Sequence, residues 1–204
     1  MAGVLAAASA AAGLAGCGTA TPGHQAKAAA GHKIKAAAVG SLPPVRGLAA
    51  RSAPAGWRRA ALPGGRAALA YPPAMHLVGG DRSTVSVARL SAAGTYLMYL
   101  NATPRQGTES LRNWPAFRVQ HLLDDDASAA RLLAESRGVR FAGGTGSCVV
   151  DAYVTKVKGH HYTELACFVQ GRTAASVIIA AAPTASWPSV SATLIRAVGA
   201  YQVR

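Results

Sequence analysis

The chain has 204 residues and a formal net charge of +13, which results from 21 Lys and Arg against 8 Asp and Glu. Half of the residues are hydrophobic, but only 6% are aromatic, and alanine dominates the apolar set. This length accommodates about one domain, which excludes a multidomain enzyme, and the alanine, glycine and proline content predicts that part of the chain packs no core. No residue pattern identifies a substrate or a reaction.

The chain begins with an apolar run, from Val4 to Leu14, that is too short to cross a bilayer. Such a run is typical of the hydrophobic region of a signal peptide. It ends in Leu14-Ala15-Gly16-Cys17, which resembles the lipobox of bacterial lipoproteins. The resemblance implies that residues 1–16 are a lipoprotein signal peptide and that Cys17 is acylated on its sulfur, as expected of a nucleophilic thiolate. We therefore expect a lipid-anchored protein on the extracytoplasmic side of the cell membrane.

One feature departs from the lipoprotein pattern. Signal peptides begin with a basic region, yet no Lys or Arg precedes Lys27. Two explanations stay open, an unusual signal peptide and a true start that differs from Met1. The alternative to lipidation is an alanine-rich, disordered N-terminus in which Cys17 occurs by chance.

Residues 17–55 contain no aromatic residue, no acid and no sustained hydrophobic periodicity. Such a segment buries too little apolar surface to offset the entropy of ordering, so we predict a disordered basic tether. Basic residues gain about 1 kcal/mol each near anionic lipid, which makes anionic lipids or wall polymers candidate partners of this tether. A solvated linker without a partner is the alternative. Nucleic acid is not expected as a partner, because the chain carries no recognition motif and export would separate the two.

Residues 56–204 have the composition of a folded domain, since they hold every Trp, Tyr and acidic residue of the chain. Alternating or apolar runs predict six strands, over Arg66–Tyr71, Ser83–Leu90, Thr95–Asn101, Ser147–Val157, His161–Val169 and Thr173–Ala182. Helical spacing predicts three helices, over Glu109–Leu123, Ala127–Glu135 and Trp187–Val203. This order favours the α+β class, in which helices cover a mostly antiparallel sheet.

The first predicted helix contains a proline. Pro115 either kinks this helix or marks its true first turn. One face of the helix is predicted to carry Leu111, Trp114, Phe117 and His121.

Two cysteines remain besides the predicted lipid anchor. An even number of cysteines outside the cytoplasm favours a disulfide between Cys148 and Cys167. Lys158-Gly159-His160 separates two strand-like runs, which predicts a hairpin. In the register where Tyr153 faces Tyr162, the two cysteines lie opposite each other. Two free buried thiols are the alternative.

The predicted domain has Tyr71-Pro72-Pro73 near its start, followed by two strands, a helix and a run of three strands. A closing helix follows the segment Ala182-Pro183-Thr184-Ala185-Ser186-Trp187. This arrangement resembles the PsbP-like fold, which occurs in extrinsic proteins of photosystem II and in many actinobacterial lipoproteins. The resemblance implies an α/β/α sandwich with a central antiparallel sheet, used for docking and binding more than for catalysis. Fold likeness by itself does not give a function.

Three patterns mimic chemical motifs but have simpler structural explanations. Gly143–Ser147 lacks the lysine of a phosphate loop and precedes a strand, so we predict a loop or bulge. His160 and Glu164 share a strand face, but they leave too few ligands for zinc. Asp124–Asp126 lacks the alternating oxygens of a calcium loop, and Asp126 is predicted to cap the helix that follows. We therefore predict no metal, no cofactor and no catalytic residue.

One face of the predicted hairpin is both polar and aromatic. It carries Asp151, Tyr153, Thr155, Tyr162 and Glu164, which suit the binding of a sugar, a peptide or a protein partner. A sheet face covered by a helix is the alternative interpretation of the same residues.

These patterns predict a membrane-anchored extracytoplasmic lipoprotein whose domain binds or docks an unknown protein or glycan of the cell envelope, without catalysis. One alternative is a cell-envelope hydrolase whose site is dispersed along the sequence. A Ser or Cys within reach of His76, His121 or His161 would favour that alternative. A structural spacer is the other alternative.

Overall fold

A computed structural model describes residues 42–204 of the chain. The strands of this part are β1 Arg58–Ala61, β2 Ala67–Tyr71, β3 His76–Val78, β4 Val85–Leu90, β5 Tyr96–Pro104, β6 Ala127–Phe141, β7 Gly144–Thr155, β8 His161–Gly171, β9 Ala175–Pro183 and β10 Gln202–Val203. The helices are α1 Trp114–Asp125 and α2 Trp187–Gly199. A seven-stranded antiparallel sheet has the order β3-β4-β5-β9-β8-β7-β6, and a three-stranded antiparallel sheet has the order β1-β2-β10. The α+β class predicted from the sequence is confirmed.

The centre of the larger sheet follows the sequence pattern closely. Strand β9 lies between β5 and β8, as its apolar run predicts for a central strand. Strand β8 is also buried over most of its length, because apolar side chains pack on both of its faces. Strands that are buried on both faces appear in the sequence as continuous apolar runs, without alternation of apolar and polar residues.

Strands β7 and β8 pair in the predicted register. Tyr153 lies opposite Tyr162, and Cys148 lies opposite Cys167. A disulfide joins the two cysteines, whose Cα atoms are 4.1 Å apart. Both sulfur-bearing side chains are fully buried, so the bridge is part of the core.

Two apolar clusters lie on opposite faces of the larger sheet. The main core contains the disulfide, and β2 and α2 contribute Leu69, Leu194 and Val198 to it. The smaller cluster lies under α1 and centres on Trp114 and Phe168, whose rings are 6.0 Å apart. The domain therefore has a helix on each side of the sheet, as the α/β/α prediction requires.

The segment Ala127–Glu135 is a strand, so the prediction of a helix there is wrong. It forms the first part of β6, a 15-residue strand that pairs with β7 through three irregularities in register. Its alanine content favours a helix locally, but pairing along a long neighbouring strand outweighs that preference. Asp126 consequently caps no following helix; it is the C-terminal cap residue of α1.

Helix α1 begins five residues later than predicted, at Trp114, and Pro115 lies in its first turn. Its buried face consists of Trp114, Arg118 and Leu122, spaced four residues apart. The predicted face, which included Phe117 and His121, is thus rotated by about one position. The rotation occurs because Arg118 has an ionic partner beneath the helix, whereas the His121 side chain is 44% exposed.

Helix α2 ends at Gly199, and the predicted helix therefore extends too far. Gln202 and Val203 form β10, which pairs with Ala67 and Ala68 of β2. A Cβ on Gly199 would lie 2.4 Å from the carbonyl oxygen of Ala49, so a close approach of the backbone explains the glycine at this end.

The domain extends towards the N-terminus beyond the predicted boundary. The sequence pattern places residues 42–55 in the tether, but Val45 is buried in the main core. The carbonyl of Pro43 accepts a hydrogen bond from Glu135 N at 3.0 Å, and Arg51 N donates to Gly199 O at 2.9 Å. One buried side chain and a few backbone hydrogen bonds are thus enough to order a segment whose sequence shows no hydrophobic periodicity. Residues 42–55 therefore pack as part of the folded domain.

The N-terminal predictions lie outside the described residues. They are the signal peptide over residues 1–16, the lipidated Cys17 and the tether over residues 17–41. Neither α1 nor α2 is long and apolar enough to span a bilayer.

The glycine-rich segment Gly143–Ser147 forms the turn between β6 and β7 and the start of β7. Gly143 has a φ of +88°, and a Cβ there would overlap the carbonyl oxygen of Val203. A Cβ on Gly146 would lie 2.5 Å from the ring of Phe141. Close packing explains these glycines. The prediction of a loop or bulge holds only for Gly143, because Gly144–Ser147 pair with β8 as the first part of β7.

Candidate functional site

The candidate site lies on the face of the larger sheet that carries α1. Helix α1 packs against β6, β7 and β8. On the same face, β5 and β9 present Tyr99, Asn101 and Ile179, which are all partly exposed. Half of this sheet face is thus covered by the helix, and the other half is partly open beside it.

Three ionisable residues form a buried charge cluster under α1: Arg118, Asp151 and Glu164. The Arg118 guanidinium donates from Nε to Glu164 Oε1 at 2.6 Å and from Nη2 to Glu164 Oε2 at 2.9 Å. Glu164 is 1% exposed and Asp151 is fully buried. Because Asp151 and Glu164 are opposite each other on β7 and β8, their Cβ atoms are about 5 Å apart.

The bidentate pair determines the ionisation of Arg118. Burial alone would lower the pKa of Arg118, but the negative charge of Glu164 and its two hydrogen bonds outweigh burial, so the pKa is raised. Arg118 therefore carries its charge at any pH at which the domain is folded, and it fixes α1 on the sheet through Glu164.

Asp151 carries no comparable partner. No N–H or O–H group of residues 42–204 donates to either of its carboxylate oxygens. Burial and the charge of Glu164 both raise the pKa of Asp151, Arg118 opposes them, and the net result is a pKa of about 9. One guanidinium thus faces two carboxyl groups, and Asp151 keeps its proton at neutral pH. The protonated carboxyl of Asp151 is then a donor that faces Glu164.

Four tyrosines surround the open side of the buried charge cluster, and we call them the tyrosine face: Tyr96, Tyr99, Tyr153 and Tyr162. The rings of Tyr153 and Tyr162 stack with centroids 5.7 Å apart. Those of Tyr96 and Tyr99 meet edge to face at 5.4 Å. A register shift between β4 and β5 at Leu90 brings Tyr96 to the side of Tyr99. All four side chains are partly exposed.

Polar groups at the edge of the tyrosine face are held in place by hydrogen bonds. Asn101 Nδ2 donates to Ser86 Oγ at 2.9 Å, and that oxygen also lies 3.2 Å from the hydroxyl of Tyr99. Burial raises the pKa of Tyr99, and it likewise raises the pKa of Tyr153 and Tyr162. The hydroxyls of these three tyrosines therefore stay neutral at physiological pH, and they act as neutral donors and acceptors beside the aromatic rings.

The structure divides the residues of the predicted binding surface into two groups. Asp151 and Glu164 lie in the interior under α1, so they are not part of an accessible surface, and the alternative of a helix-covered face applies to them. Tyr153 and Tyr162 remain partly exposed beside the helix. The correction follows from Arg118, which neutralises Glu164 and allows the helix to cover both carboxyl groups.

Three residues of the site were absent from the sequence predictions: Arg118, Tyr96 and Tyr99. The signal for Arg118 was its spacing, four residues after Trp114 and four before Leu122, which puts it on the apolar side of the helix. The two tyrosines carried no signal, because period-2 alternation places residues 96 and 99 on opposite faces unless a bulge intervenes.

The histidines and the acidic run form no metal site in the described part of the chain. Residues 42–204 contain no group of three His, Cys, Asp or Glu side chains arranged for a metal ion. His160 and His161 are exposed at the β7–β8 turn, whereas Glu164 points to Arg118. His121 Nδ1 lies 3.0 Å from Asp125 Oδ2 on the surface of α1.

No protein-family model matches the chain, and no curated protein is similar to it. Among solved structures, the chain is similar to cyanobacterial PsbP (CyanoP) from Synechocystis sp. PCC 6803, with 14% identity over 74% of this chain and 95% of that chain and a TM-score of 0.51. A Pseudomonas aeruginosa protein of unknown function matches at a TM-score of 0.44, with 14% identity over 70% of this chain and 94% of that chain.

LpqN, a protein involved in cell envelope biogenesis of Mycobacterium tuberculosis, matches at a TM-score of 0.39, with 11% identity over 67% of this chain and 82% of that chain. At such identities, structural likeness concerns the fold alone. The likeness to CyanoP, together with the order of strands and helices, establishes that the domain over residues 42–204 has a PsbP-like α+β fold.

Proposed function

We propose that the protein is a lipid-anchored, extracytoplasmic protein of the cell envelope whose domain is a non-catalytic binding module. In this proposal the tyrosine face is the surface that engages an envelope component, a protein or a glycan. The single observation that carries it is the half-covered sheet face, where four partly exposed tyrosines lie beside α1.

The chemistry of the tyrosine face fits a neutral polar partner. Tyrosine rings supply large contact area at small entropic cost, and their hydroxyls, with Asn101 and Ser86, supply hydrogen bonds. The charges of Glu164 and Arg118 neutralise each other below this surface. The face therefore suits sugar rings or an uncharged peptide segment better than an ionic ligand.

Two features support the proposed location. The sequence Leu14-Ala15-Gly16-Cys17 has the residue types of a lipobox. The Cys148–Cys167 disulfide fits an oxidising compartment, because cytosolic proteins seldom carry a structural bridge.

The hydrolase alternative finds no supporting geometry in residues 42–204. His76, His121 and His161 make no hydrogen bond to a Ser or Thr hydroxyl there. The two cysteines of this part are joined to each other and buried, so neither is a free nucleophile. The proposal therefore assigns no catalytic residue.

Site-specific photocrosslinking in cells tests the proposed surface. A photoreactive phenylalanine analogue replaces Tyr99 in one variant of the full chain, and it replaces Arg58 in the control variant. Arg58 is exposed on β1, in the other sheet. We expect a discrete adduct from position 99 that survives detergent washing, and none from position 58.

A further substitution checks the same surface, with the crosslinker kept at position 99. Tyr162→Ser removes one ring of the stacked pair, and the adduct at position 99 should fall strongly in that background. Adducts of equal yield from both positions, or no adduct at position 99 in cells that make the folded protein, would contradict the proposal.

A further inference from the structure

A small cleft lies at the end of the domain where the two sheets meet, away from the tyrosine face. Its volume is about 200 Å³. The walls are mainly apolar but include two arginines, and the residues that line them include Leu62, Pro63, Arg66, Pro104, Arg105 and Ala175. We call this the arginine cleft.

The backbone holds the walls of the arginine cleft together. Arg105 N donates to Ala175 O at 3.0 Å, and Arg66 O accepts from Arg204 N at 2.9 Å. The turn before Arg66 is closed by Gly65 N, which donates to Leu62 O at 2.9 Å. Hydrogen bonds therefore fix the backbone at each of the two arginines.

Neither arginine of the cleft is neutralised by a carboxylate. The ion pairs of residues 42–204 involve Arg118, His121 and Arg137, but not Arg66 or Arg105. No acid precedes Asp81 in the sequence, so the N-terminal residues outside the described part supply none. Glu109 is the acid nearest to Arg105 in sequence, and it is buried.

The carboxylate oxygens of Glu109 have backbone partners and form no ion pair with Arg105. Its oxygens accept hydrogen bonds from the backbone of Gln106 at 2.6 Å and of Gly107 at 2.8 Å. Arg105 itself donates from Nε to Gly107 O at 3.0 Å, which leaves its two terminal nitrogens for a ligand. The cleft thus presents two exposed guanidinium groups, neither of them in an ion pair within residues 42–204, beside a mainly apolar lining.

Guanidinium groups bind phosphate through parallel N–H donors, and apolar walls accommodate carbon atoms attached to that phosphate. A volume of about 200 Å³ equals roughly seven waters, which is room for one glycerol phosphate group and not for a folded peptide. An extended polymer would need a groove along the surface, whereas this cleft is confined to the junction of the sheets.

We propose that the arginine cleft binds the glycerol phosphate headgroup of an anionic membrane lipid. The observation that carries the proposal is that Arg66 and Arg105, both exposed and neither in an ion pair within residues 42–204, line the same mainly apolar cleft. This inference goes beyond the proposed function, since it concerns a different surface and an anionic ligand, whereas the tyrosine face suits a neutral one.

Vesicle binding by the full chain with Cys17→Ser tests the proposal, because that substitution removes any acyl chain. The vesicles contain phosphatidylcholine with or without phosphatidylglycerol. We expect binding that depends on phosphatidylglycerol and weakens with salt. The double variant Arg66→Gln, Arg105→Gln should bind about 30-fold more weakly, as each basic residue at an anionic surface contributes roughly a factor of five.

The matched control is Arg58→Gln, Arg59→Gln, which removes the same charge from exposed positions of β1. We expect less than a threefold loss there. Equal losses in the two double variants would mean general attraction between charges and would overturn the proposal. So would vesicle binding that does not depend on phosphatidylglycerol, or binding of soluble poly(glycerol phosphate) without binding of vesicles.

Amide chemical shifts, measured by NMR on the protein with Arg66 and Arg105 in place, provide a test that requires no arginine variant. Titration with soluble glycerophosphoglycerol should shift the amides of Arg105, Ala174 and Ser176, which line the cleft, and leave those of Tyr99 and Tyr162 unchanged. Saturable shifts at the tyrosine face only would overturn the proposal. Because the two surfaces use different residues, failure here leaves the crosslinking result at position 99 unaffected, and the reverse also holds.

Discussion

Replacing Asp151 by asparagine should remove a pH dependence from the stability of the domain. Asp151 is fully buried, and its pKa is raised to about 9, whereas an aspartate in the unfolded chain titrates near its usual value of 3.8. At pH values between these two, the folded state holds a proton that the unfolded state has released. Stability from this group is therefore fully present below pH 3.8 and is lost as the pH rises through 9.

The size of the effect follows from one proton. In this window the free energy of unfolding falls by about 1.4 kcal/mol for each pH unit, so the loss between pH 5 and pH 8 is about 4 kcal/mol. The amide of an asparagine side chain cannot ionise and has nearly the same shape as the carboxyl group. Between pH 5 and pH 8, the free energy of unfolding of Asp151→Asn should therefore rise by about 4 kcal/mol relative to that of the wild type.

Urea unfolding at pH 5, 6, 7 and 8 measures the difference between the two proteins, in which contributions common to both cancel. Asp81→Asn, at an exposed aspartate of the β3–β4 turn, is the matched control and should show a difference that stays constant with pH. If the curves of Asp151→Asn and the wild type run parallel as well, Asp151 is ionised in the folded domain, and the reasoning about the buried charge cluster is refuted.

Three further predictions concern what holds the domain together. Arg118→Met leaves the buried carboxyl groups opposite it without a cation, and urea unfolding at pH 7 should show a loss of about 3–5 kcal/mol; an unchanged midpoint would contradict the account. Gly143→Ala and Gly94→Ala both place a side chain at positive φ, which should lower the free energy of unfolding by about 1–2 kcal/mol. Only the new Cβ at Gly143 meets a neighbouring carbonyl, so Gly143→Ala should lower the free energy of unfolding by about 1–3 kcal/mol more than Gly94→Ala. Replacing Cys148 and Cys167 together by Ala opens a bridge that spans 19 residues and should cost about 3 kcal/mol in thermal or urea unfolding, whereas equal stability would show that the bridge contributes nothing.

The sequence predicted those parts of the fold whose local pattern agrees with their tertiary surroundings. The β7–β8 hairpin is such a case, because its turn length sets the register and its alternation sets the faces. The strand over Ala127–Glu135 is the opposite case, since alanine favours a helix and only the neighbouring strand decides otherwise. Residues 42–55 were missed for a related reason: a few hydrogen bonds to distant backbone order them, and no local pattern records those partners.

The candidate site was predicted only in part. The polar and aromatic residue types of β7 and β8 were visible, but whether a helix covers them depends on Arg118, which comes from another element. An arginine on a helix is normally exposed, so its spacing from Trp114 and Leu122 becomes a signal of burial only together with a facing carboxylate such as Glu164. The tyrosine pair on β5 depends on a bulge, which a single sequence seldom reveals.

In our proposal the domain works outside the cytoplasm, attached to a membrane through Cys17. Intact-mass analysis of the protein purified from fractionated cells tests this claim most directly. We expect a membrane-bound chain that begins at Cys17, carries a diacylglyceryl group and holds a Cys148–Cys167 bridge. An unmodified precursor in the cytosol, with both thiols free, would contradict it.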